Sequence, residues 1–232
     1  QNLKLTAHVH EGETGYMLFR HTADDFAAAN EGLSVKITQS GWDDYWNTVT
    51  NGMASGEMAD VFTNHLAKYP DFVKTGQLLE ISEDNVDMGS FQAGLADLWV
   101  GQDGKRYGLP KDWDTVALFY NEEMIADAGI TEEEMSNLDW NNVDGGTFEK
   151  VVAKLTVDKN GKRGDEAGFD KNNVAVFGLG YPGSGAGMGQ TEWSWFTATT
   201  GWTHTDKNPW GTKYNFDDPR FQDSIAWWAG LI

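Results

Sequence analysis

The first third of the chain repeats a pattern in which short apolar stretches alternate with longer amphipathic ones. Apolar and polar residues alternate along 3–9 and along 33–37, and this period of two predicts strands. A short apolar run, ADVFT at 59–63, predicts a third strand. Between the first two strands, apolar residues recur at helical spacing along 16–26, which predicts a helix.

Two further helical patterns follow the second and third strands, beginning at Asp43 and at Asn64. The pattern from Asp43 carries apolar side chains on one face: Tyr45, Trp46, Val49 and Met53. Alternating strands and helices with short connections predict an α/β fold with a mainly parallel sheet. Ligands bind such sheets beyond the carboxyl ends of the strands, which here are 10–13, 39–42 and 63–65.

The middle of the chain carries two carboxylates beside an aromatic ring. A hairpin is predicted at 98–107, around an Asp-Gly turn. The next stretch reads GLPKDWDTVALFYN, in which Asp112 and Asp114 flank Trp113, and its apolar run at 116–120 predicts a strand. Alternate side chains of an extended chain share a face, so the two carboxylates are expected on one side. This stretch is a candidate ligand site where the chain leaves one unit and enters another.

The second half of the chain mixes short helical patterns with glycine-rich and aromatic stretches. Its predicted features are a helix at 122–128 ended by Gly129, a helix capped by Thr147, a strand at 174–177, a glycine-rich loop at 178–189, an aromatic segment at 193–202 and an amphipathic helix at 221–232. The last pattern has no stop signal, so we expect the complete protein to be longer.

Composition narrows the classes of function. The chain has 17 Lys or Arg and 36 Asp or Glu, a net charge of −19, which repels nucleic acid and anionic lipid. It has no cysteine, which excludes disulfides, thiol catalysis and thiolate metal sites. It also has 11 Trp, several in polar contexts such as GWDDYW and TEWSW. Tryptophan offers a flat apolar face that suits sugar rings as well as protein packing.

Several stretches together resemble the extracytoplasmic solute-binding proteins of carbohydrate ABC importers, the maltose-binding-like family 1. They are the first strand and helix, GWDDYW, ADVFTNHLAKYPDFVKTGQLLEIS and DGKRYGLPKDWDTVALFYNEEMIADAGI, with weaker matches in GTFEKVVAKLT, AVFGLG, TEWSWF and DDPRFQDSIAWW. The resemblance implies a two-lobe periplasmic-binding-protein-like fold (type II) with sugar bound in the cleft. It implies an N-terminal lobe at 1–110, a C-terminal lobe at 111–232, and a chain that stops inside the second lobe.

The same resemblance implies a set of sugar contacts at positions that match the family's pattern. They are Glu13, Trp42, Asn64, His65, Asp112, Trp113, Asp114, Trp193 and Trp195. It also implies a mono- or oligosaccharide ligand, a membrane permease as partner, a monomer without a cofactor, and a location in the periplasm or on a lipid anchor. Catalytic and metal-binding residues are not expected.

Structural alternatives stay open for the site residues. Trp42 could pack against its own helix, Asn64 could only cap one, and Glu13 could be a solvated acid. Asp112 and Asp114 could form hydrogen bonds at a hinge. They could also be the acid and base of a glycoside hydrolase, since residues two apart on a strand lie about 7 Å apart.

Three other patterns are weak signals of chemistry. The G-x-G-x-x-G spelled by 178–183 contains Pro182 and precedes no helix, so a dinucleotide site is disfavoured. His8 and His10 share a face of the first strand, but a structural role is favoured over a metal site because a third ligand is not evident. The acidic stretch at 158–166 loosely resembles a calcium loop but contains Lys and Arg.

Overall fold

A computed structural model describes residues 3–9, 13–180 and 189–231. The chain divides into two compact units, Gln1–Trp113 (unit 1) and Asp114–Ile232 (unit 2). The lobe boundary expected after residue 110 stays a prediction. Within the described ranges, helices that combine the length and the apolar character needed to cross a membrane are not found.

Unit 1 is built on a parallel sheet of three strands. β1 spans Leu3–Val9, β2 Leu33–Gln39 and β3 Val61–Phe62. The order is β2-β1-β3 and both pairings are parallel, which confirms the predicted sheet. β1 pairs with β2 along its whole length, and its place at the centre buries His8 and Val9.

β3 is shorter than the predicted 59–63 because a side chain takes over the pairing at its start. The Asp60 carboxylate accepts the Thr6 backbone N–H at 2.7 Å, and the Asp60 N–H donates to Thr6 Oγ1 at 3.2 Å. These bonds replace the backbone ladder before Val61.

One α-helix follows each of these strands along the chain: α1 at Glu13–Ala29, α2 at Trp42–Ser55 and α3 at Tyr69–Lys74. The predicted face of α2 is confirmed, since its four apolar side chains are buried and pack with Phe72. Gly56 ends α2 in the left-handed conformation, at φ 74°, with its N–H bonded to Gly52 O.

α3 begins later than the predicted start at Asn64. The N–H groups of Lys68 and Tyr69 both donate to His65 O, at 2.8 and 2.9 Å, so the chain first makes a turn. Pro70 then lies in the first turn of the helix, where its missing N–H is tolerated.

The hairpin predicted at 98–107 is confirmed. Gly101 N–H donates to Lys105 O at 2.7 Å and Tyr107 N–H donates to Trp99 O at 3.1 Å. Three short 3-10 helices precede or enter it, at Glu83–Asn85, Met88–Ser90 and Ala96–Trp99. The buried Tyr69 anchors the hairpin, since its hydroxyl donates to Trp99 O at 2.7 Å.

The strand predicted at 116–120 is wrong. Residues 111–120 are exposed and carry no strand, and Phe119 is 90% exposed. An extended segment becomes a strand only when a neighbouring strand satisfies its backbone groups. The described strands pair elsewhere, so the apolar residues at 116–120 have no strand partner among the described residues.

Unit 2 contains short elements joined by long turns. Its helices and strands are α4 at Glu122–Asp127, α5 at Glu132–Ser136, α6 at Gly146–Leu155, β4 at Val157–Asp158, β5 at Val174–Val176, α7 at Ser194–Thr197 and α8 at Pro219–Ala229, with a 3-10 turn at Ala198–Thr200. β4 and β5 pair antiparallel. The helices predicted at 122–128 and near 221–232 and the strand at 174–177 are confirmed.

Thr147 does not cap its helix as predicted. α6 begins at Gly146, and Gly145 occupies the cap position at φ 71°. The Thr147 N–H and hydroxyl instead bond to the carboxylate of Asp139, eight residues earlier. The threonine therefore fastens the preceding loop to the first turn of α6.

Aromatic side chains form the core of unit 2. Phe196 is fully buried, and its ring lies 4.9–6.0 Å from four indole rings. These are Trp140, Trp195, Trp227 and Trp228. Trp227 also donates from its indole nitrogen to Glu149 Oε2 at 2.6 Å, which ties α8 to α6.

Candidate functional site

The carboxyl ends of the three parallel strands meet at one edge of the unit 1 sheet. Hydrogen bonds continue across this edge beyond the strands themselves: Ser40 N–H donates to Val9 O at 3.1 Å and Thr63 N–H donates to His8 O at 3.2 Å. The segments that leave β2 and β3 are therefore fixed against β1. Side chains on these segments have defined positions relative to one another.

His8 lies near the end of the central strand, in the middle of this edge. Its Nδ1 lies 2.6 Å from Thr38 Oγ1 and its Nε2 lies 3.2 Å from Ser40 Oγ. Its ring stacks on Tyr45 with centroids 4.7 Å apart and planes 4° apart. Burial lowers the pKa of His8, which favours the neutral imidazole. This confirms the structural role favoured for His8, while His10 lies outside the described residues.

Trp42, Asn64 and His65 come together at this edge. Trp42 is the first residue of α2, and its ring centroid lies 5.8 Å from that of His65, edge to face. The Asn64 side-chain oxygen accepts the His65 N–H at 2.8 Å, and His65 Nδ1 accepts the Ala67 N–H at 3.1 Å. The three side chains are half-buried, so each keeps some exposed surface.

The packing alternative for Trp42 is supported, and the capping alternative for Asn64 is not. Trp42 does pack against its own helix, since its ring lies 5.4 Å from that of Trp46. Asn64 orders a turn rather than the first turn of a helix. Glu13 is the first residue of α1, and its side chain lies outside the described residues.

The two carboxylates of the middle stretch lie on exposed chain. Asp112 pairs with Lys111 Nζ at 2.5 Å, and the same Nζ lies 5.6 Å from the centre of the Phe19 ring. Trp113 is 57% exposed and Asp114 is exposed as well. The segment forms no ladder with the described strands, and the expectation that Asp112 and Asp114 lie on one side of an extended chain stays a prediction.

Trp193 and Trp195 belong to two different aromatic clusters. Trp193 packs edge-on against Phe221 at 5.1 Å and Trp202 at 5.7 Å. Trp195 packs against Phe148 at 5.4 Å, and its indole nitrogen donates to Glu192 O at 3.0 Å. Both rings are half-buried. Their predicted contact with sugar stays a prediction, beside a packing role that the structure shows.

Asp158 organises a turn in the stretch that resembles a calcium loop. It is buried, and its carboxylate accepts the backbone N–H groups of Asn160, Lys162 and Asp170 at 2.8–2.9 Å. These hydrogen bonds lower the pKa of Asp158, and the bond from the Asp170 N–H has the largest effect. Across the described parts of the chain, His, Asp and Glu side chains form no group of three or more that could hold a metal. The glycine-rich stretch at 181–188 lies outside the described residues.

The sequence did not indicate that Tyr45 connects the strand ends. The spacing of apolar residues in the sequence marked Tyr45 only as one of the side chains on the apolar face of α2. The available signal was its position three residues after Trp42, inside GWDDYW, where a tyrosine hydroxyl reaches the end of the sheet.

Comparison with known proteins gives a consistent assignment. Residues 21–232 match a family described as bacterial extracellular solute-binding protein. The diacetylchitobiose binding protein DasA of Streptomyces coelicolor is 30% identical over 112 residues, which are 47% of this chain and 26% of that protein.

Solved structures share the fold over nearly the whole chain. UspC of M. tuberculosis superposes with a TM-score of 0.67 at 23% identity, over 99% of this chain and 55% of UspC. An ABC substrate-binding protein from Listeria monocytogenes in complex with cycloalternan gives 0.71 at 15% identity, over 99% of this chain and 53% of that one. The predicted fold class is confirmed, and the chain spans about half the length of these structures.

Proposed function

Because the chain belongs to the bacterial extracellular solute-binding proteins, we propose that the complete protein binds an oligosaccharide and delivers it to the membrane permease of an ABC importer. The observation that carries the proposal is the grouping of Trp42, Asn64 and His65 at the carboxyl edge of the parallel sheet. This edge is the usual position of a ligand in an open α/β sheet.

The chemistry of the three side chains suits a sugar. An indole ring offers a flat apolar surface to the C–H face of a pyranose, while amide and imidazole groups hydrogen-bond hydroxyls. Asn64 and His65 already make local hydrogen bonds, which orient their side chains before a ligand arrives. An oriented site binds more tightly because less freedom is lost on binding.

The relatives support an oligosaccharide over other solutes. DasA is named a diacetylchitobiose binding protein, and the Listeria protein was solved with cycloalternan. We extend the same class of ligand to this protein. Further contacts are proposed from Glu13, Asp112, Trp113, Asp114, Trp193 and Trp195. A monomer in the periplasm or on a lipid anchor fits the family's extracellular role.

Calorimetry and tryptophan fluorescence of the complete protein test the proposal. Titration with an array of oligosaccharides, including diacetylchitobiose, is expected to show binding of at least one sugar, recovered uncut by mass spectrometry. An array on which no sugar binds would contradict the proposal. Cleavage of the sugar that is lost in Asp112→Asn or Asp114→Asn would favour the glycoside hydrolase alternative.

A further inference from the structure

A single hydroxyl group joins α2 to the ends of two strands beneath the candidate site. Tyr45 is fully buried, and its Oη lies 2.5 Å from Thr63 O and 3.2 Å from His8 O. It also accepts a hydrogen bond from Thr63 Oγ1 at 3.0 Å. The phenol proton serves the shorter contact, so Tyr45 holds Thr63 both as donor and as acceptor.

The ring of Tyr45 also makes defined contacts, in addition to those of its hydroxyl. One face stacks on His8, whose two nitrogens lie within hydrogen-bond distance of Thr38 and Ser40 at the end of β2. Its edge meets Trp46 at 5.0 Å and 88°. Tyr45 therefore connects all three strand ends to one helix. It reaches β3 through its hydroxyl, β1 through the stacked ring of His8, and β2 through the nitrogens of His8.

The two ends of this connection carry the candidate sugar contacts. Tyr45 lies three residues after Trp42 on α2, and Thr63 immediately precedes Asn64 and His65. The edge-to-face approach of Trp42 and His65, at 5.8 Å, spans the same gap that the hydroxyl bridges. Losing the bridge would release the segment after β3 from the helix that carries Trp42.

We propose that Tyr45 is a positioning residue, which sets the separation between Trp42 and the Asn64–His65 pair and thereby the affinity for sugar. This inference rests on the function proposed above. Tyr45 does not touch the sugar itself, since it is fully buried. Its contribution comes from the hydroxyl, because phenylalanine would fill the same space in the core.

Tyr45→Phe in the complete protein tests the proposal, with Tyr69→Phe as the matched control. Both tyrosines are fully buried in unit 1, and both hydroxyls hydrogen-bond a backbone carbonyl. The bond of Tyr69 ends on Trp99, in the hairpin and not at the strand ends. We expect both variants to lose similar stability, while only Tyr45→Phe weakens sugar binding, by about tenfold, because small misplacements of contact groups are costly.

A double-mutant cycle separates positioning from a general structural role. In a Trp42→Phe background, Tyr45→Phe is expected to weaken binding by much less than tenfold, since the group it positions is already altered. Equal weakening in both backgrounds, or wild-type affinity in Tyr45→Phe, overturns the proposal.

A readout without sugar distinguishes a failure of this inference from a failure of the proposed function. The His65 ring lies 5.8 Å from the Trp42 ring and 6.5 Å from the Trp46 ring, so the NMR shifts of its protons report the position of His65 relative to α2, which carries both indoles. Tyr45→Phe is expected to move these signals and Tyr69→Phe to leave them in place, with assignment by His65→Gln. If the wild type binds no sugar, the proposed function fails. If the His65 signals are unchanged in Tyr45→Phe, the positioning role fails, whether or not sugar binds.

Discussion

The two units of this chain place tryptophan in different settings. In unit 1 a parallel sheet organises the structure, and Trp42 stands at the start of a helix beside the ends of the strands. In unit 2 the strands are two and three residues long, and aromatic rings make the core. Trp195 there packs between other rings and donates to a backbone carbonyl.

This difference shows that one residue type can occupy two kinds of structural setting in one protein. A sheet satisfies its backbone internally and leaves side chains at its edge available for a ligand. A unit with little sheet depends on side chains for cohesion, as in the bonds of Thr147 to Asp139 and of Trp227 to Glu149. Its aromatic residues are therefore partly committed to packing.

The largest expected effect concerns the aromatic core of unit 2. Phe196→Ala should lower the free energy of unfolding by about 3–5 kcal/mol, because it removes the ring around which four indoles pack. Urea denaturation of the complete protein, followed by near-UV circular dichroism, measures this loss.

Phe177→Ala is the matched control, since Phe177 is 73% exposed. Its loss should stay within about 0.5 kcal/mol. Equal losses in the two variants would show that the aromatic cluster does not stabilise unit 2.

A smaller effect should separate Trp42 from Trp195. Trp42→Ala is expected to weaken sugar binding about thirtyfold, as truncation of an aromatic anchor does, and Trp195→Ala to reduce stability by about 2 kcal/mol. Calorimetry with the sugar that binds most tightly measures the loss of affinity of each variant. Urea denaturation measures its loss of stability. The contrast breaks down if Trp195→Ala weakens binding as much as Trp42→Ala while leaving stability intact.

The smallest effect is a dependence of stability on pH, which each unit should show at one histidine whose pKa is lowered by burial. Burial lowers the pKa of His8 in unit 1 and of His204 in unit 2 below the usual 6.5. As pH falls below 6.5 the unfolded chain takes up the protons first, so stability decreases until each folded pKa is reached. Above 6.5 neither group contributes a slope.

Urea midpoints between pH 7.5 and 5 should therefore fall less steeply in His8→Gln than in the wild type. His204→Gln should reduce the slope separately, because burial also lowers the pKa of His204. An unaltered slope in His8→Gln would contradict the buried neutral imidazole.

Patterns with local causes were predictable. The apolar face of α2 follows from side-chain spacing within one helix, and the helix formed with that face buried. The parallel sheet followed from the order of strands and helices. The rule that strand ends share an edge then placed Trp42 near His65.

Features that depend on distant partners were not predictable. The run at 116–120 has the composition of a strand, but a strand needs a neighbour that the local sequence does not specify. Thr147 resembles a helix cap, yet its carboxylate partner lies eight residues away. The partners of the Tyr45 hydroxyl lie 18 and 37 residues away, so the motif GWDDYW placed the tyrosine near the strand ends without identifying its partners.

The sequence by itself determined the periodicity of the strands and helices, the acidic surface and the polar side chains that follow each strand. Those properties are set by residues close together in the chain. Only the tertiary structure decided which tryptophans stand at the sheet edge and which fill a core, and that Tyr45 ties the edge together. Ring packing and buried hydrogen bonds join residues far apart in sequence, so they exist only once the chain has folded.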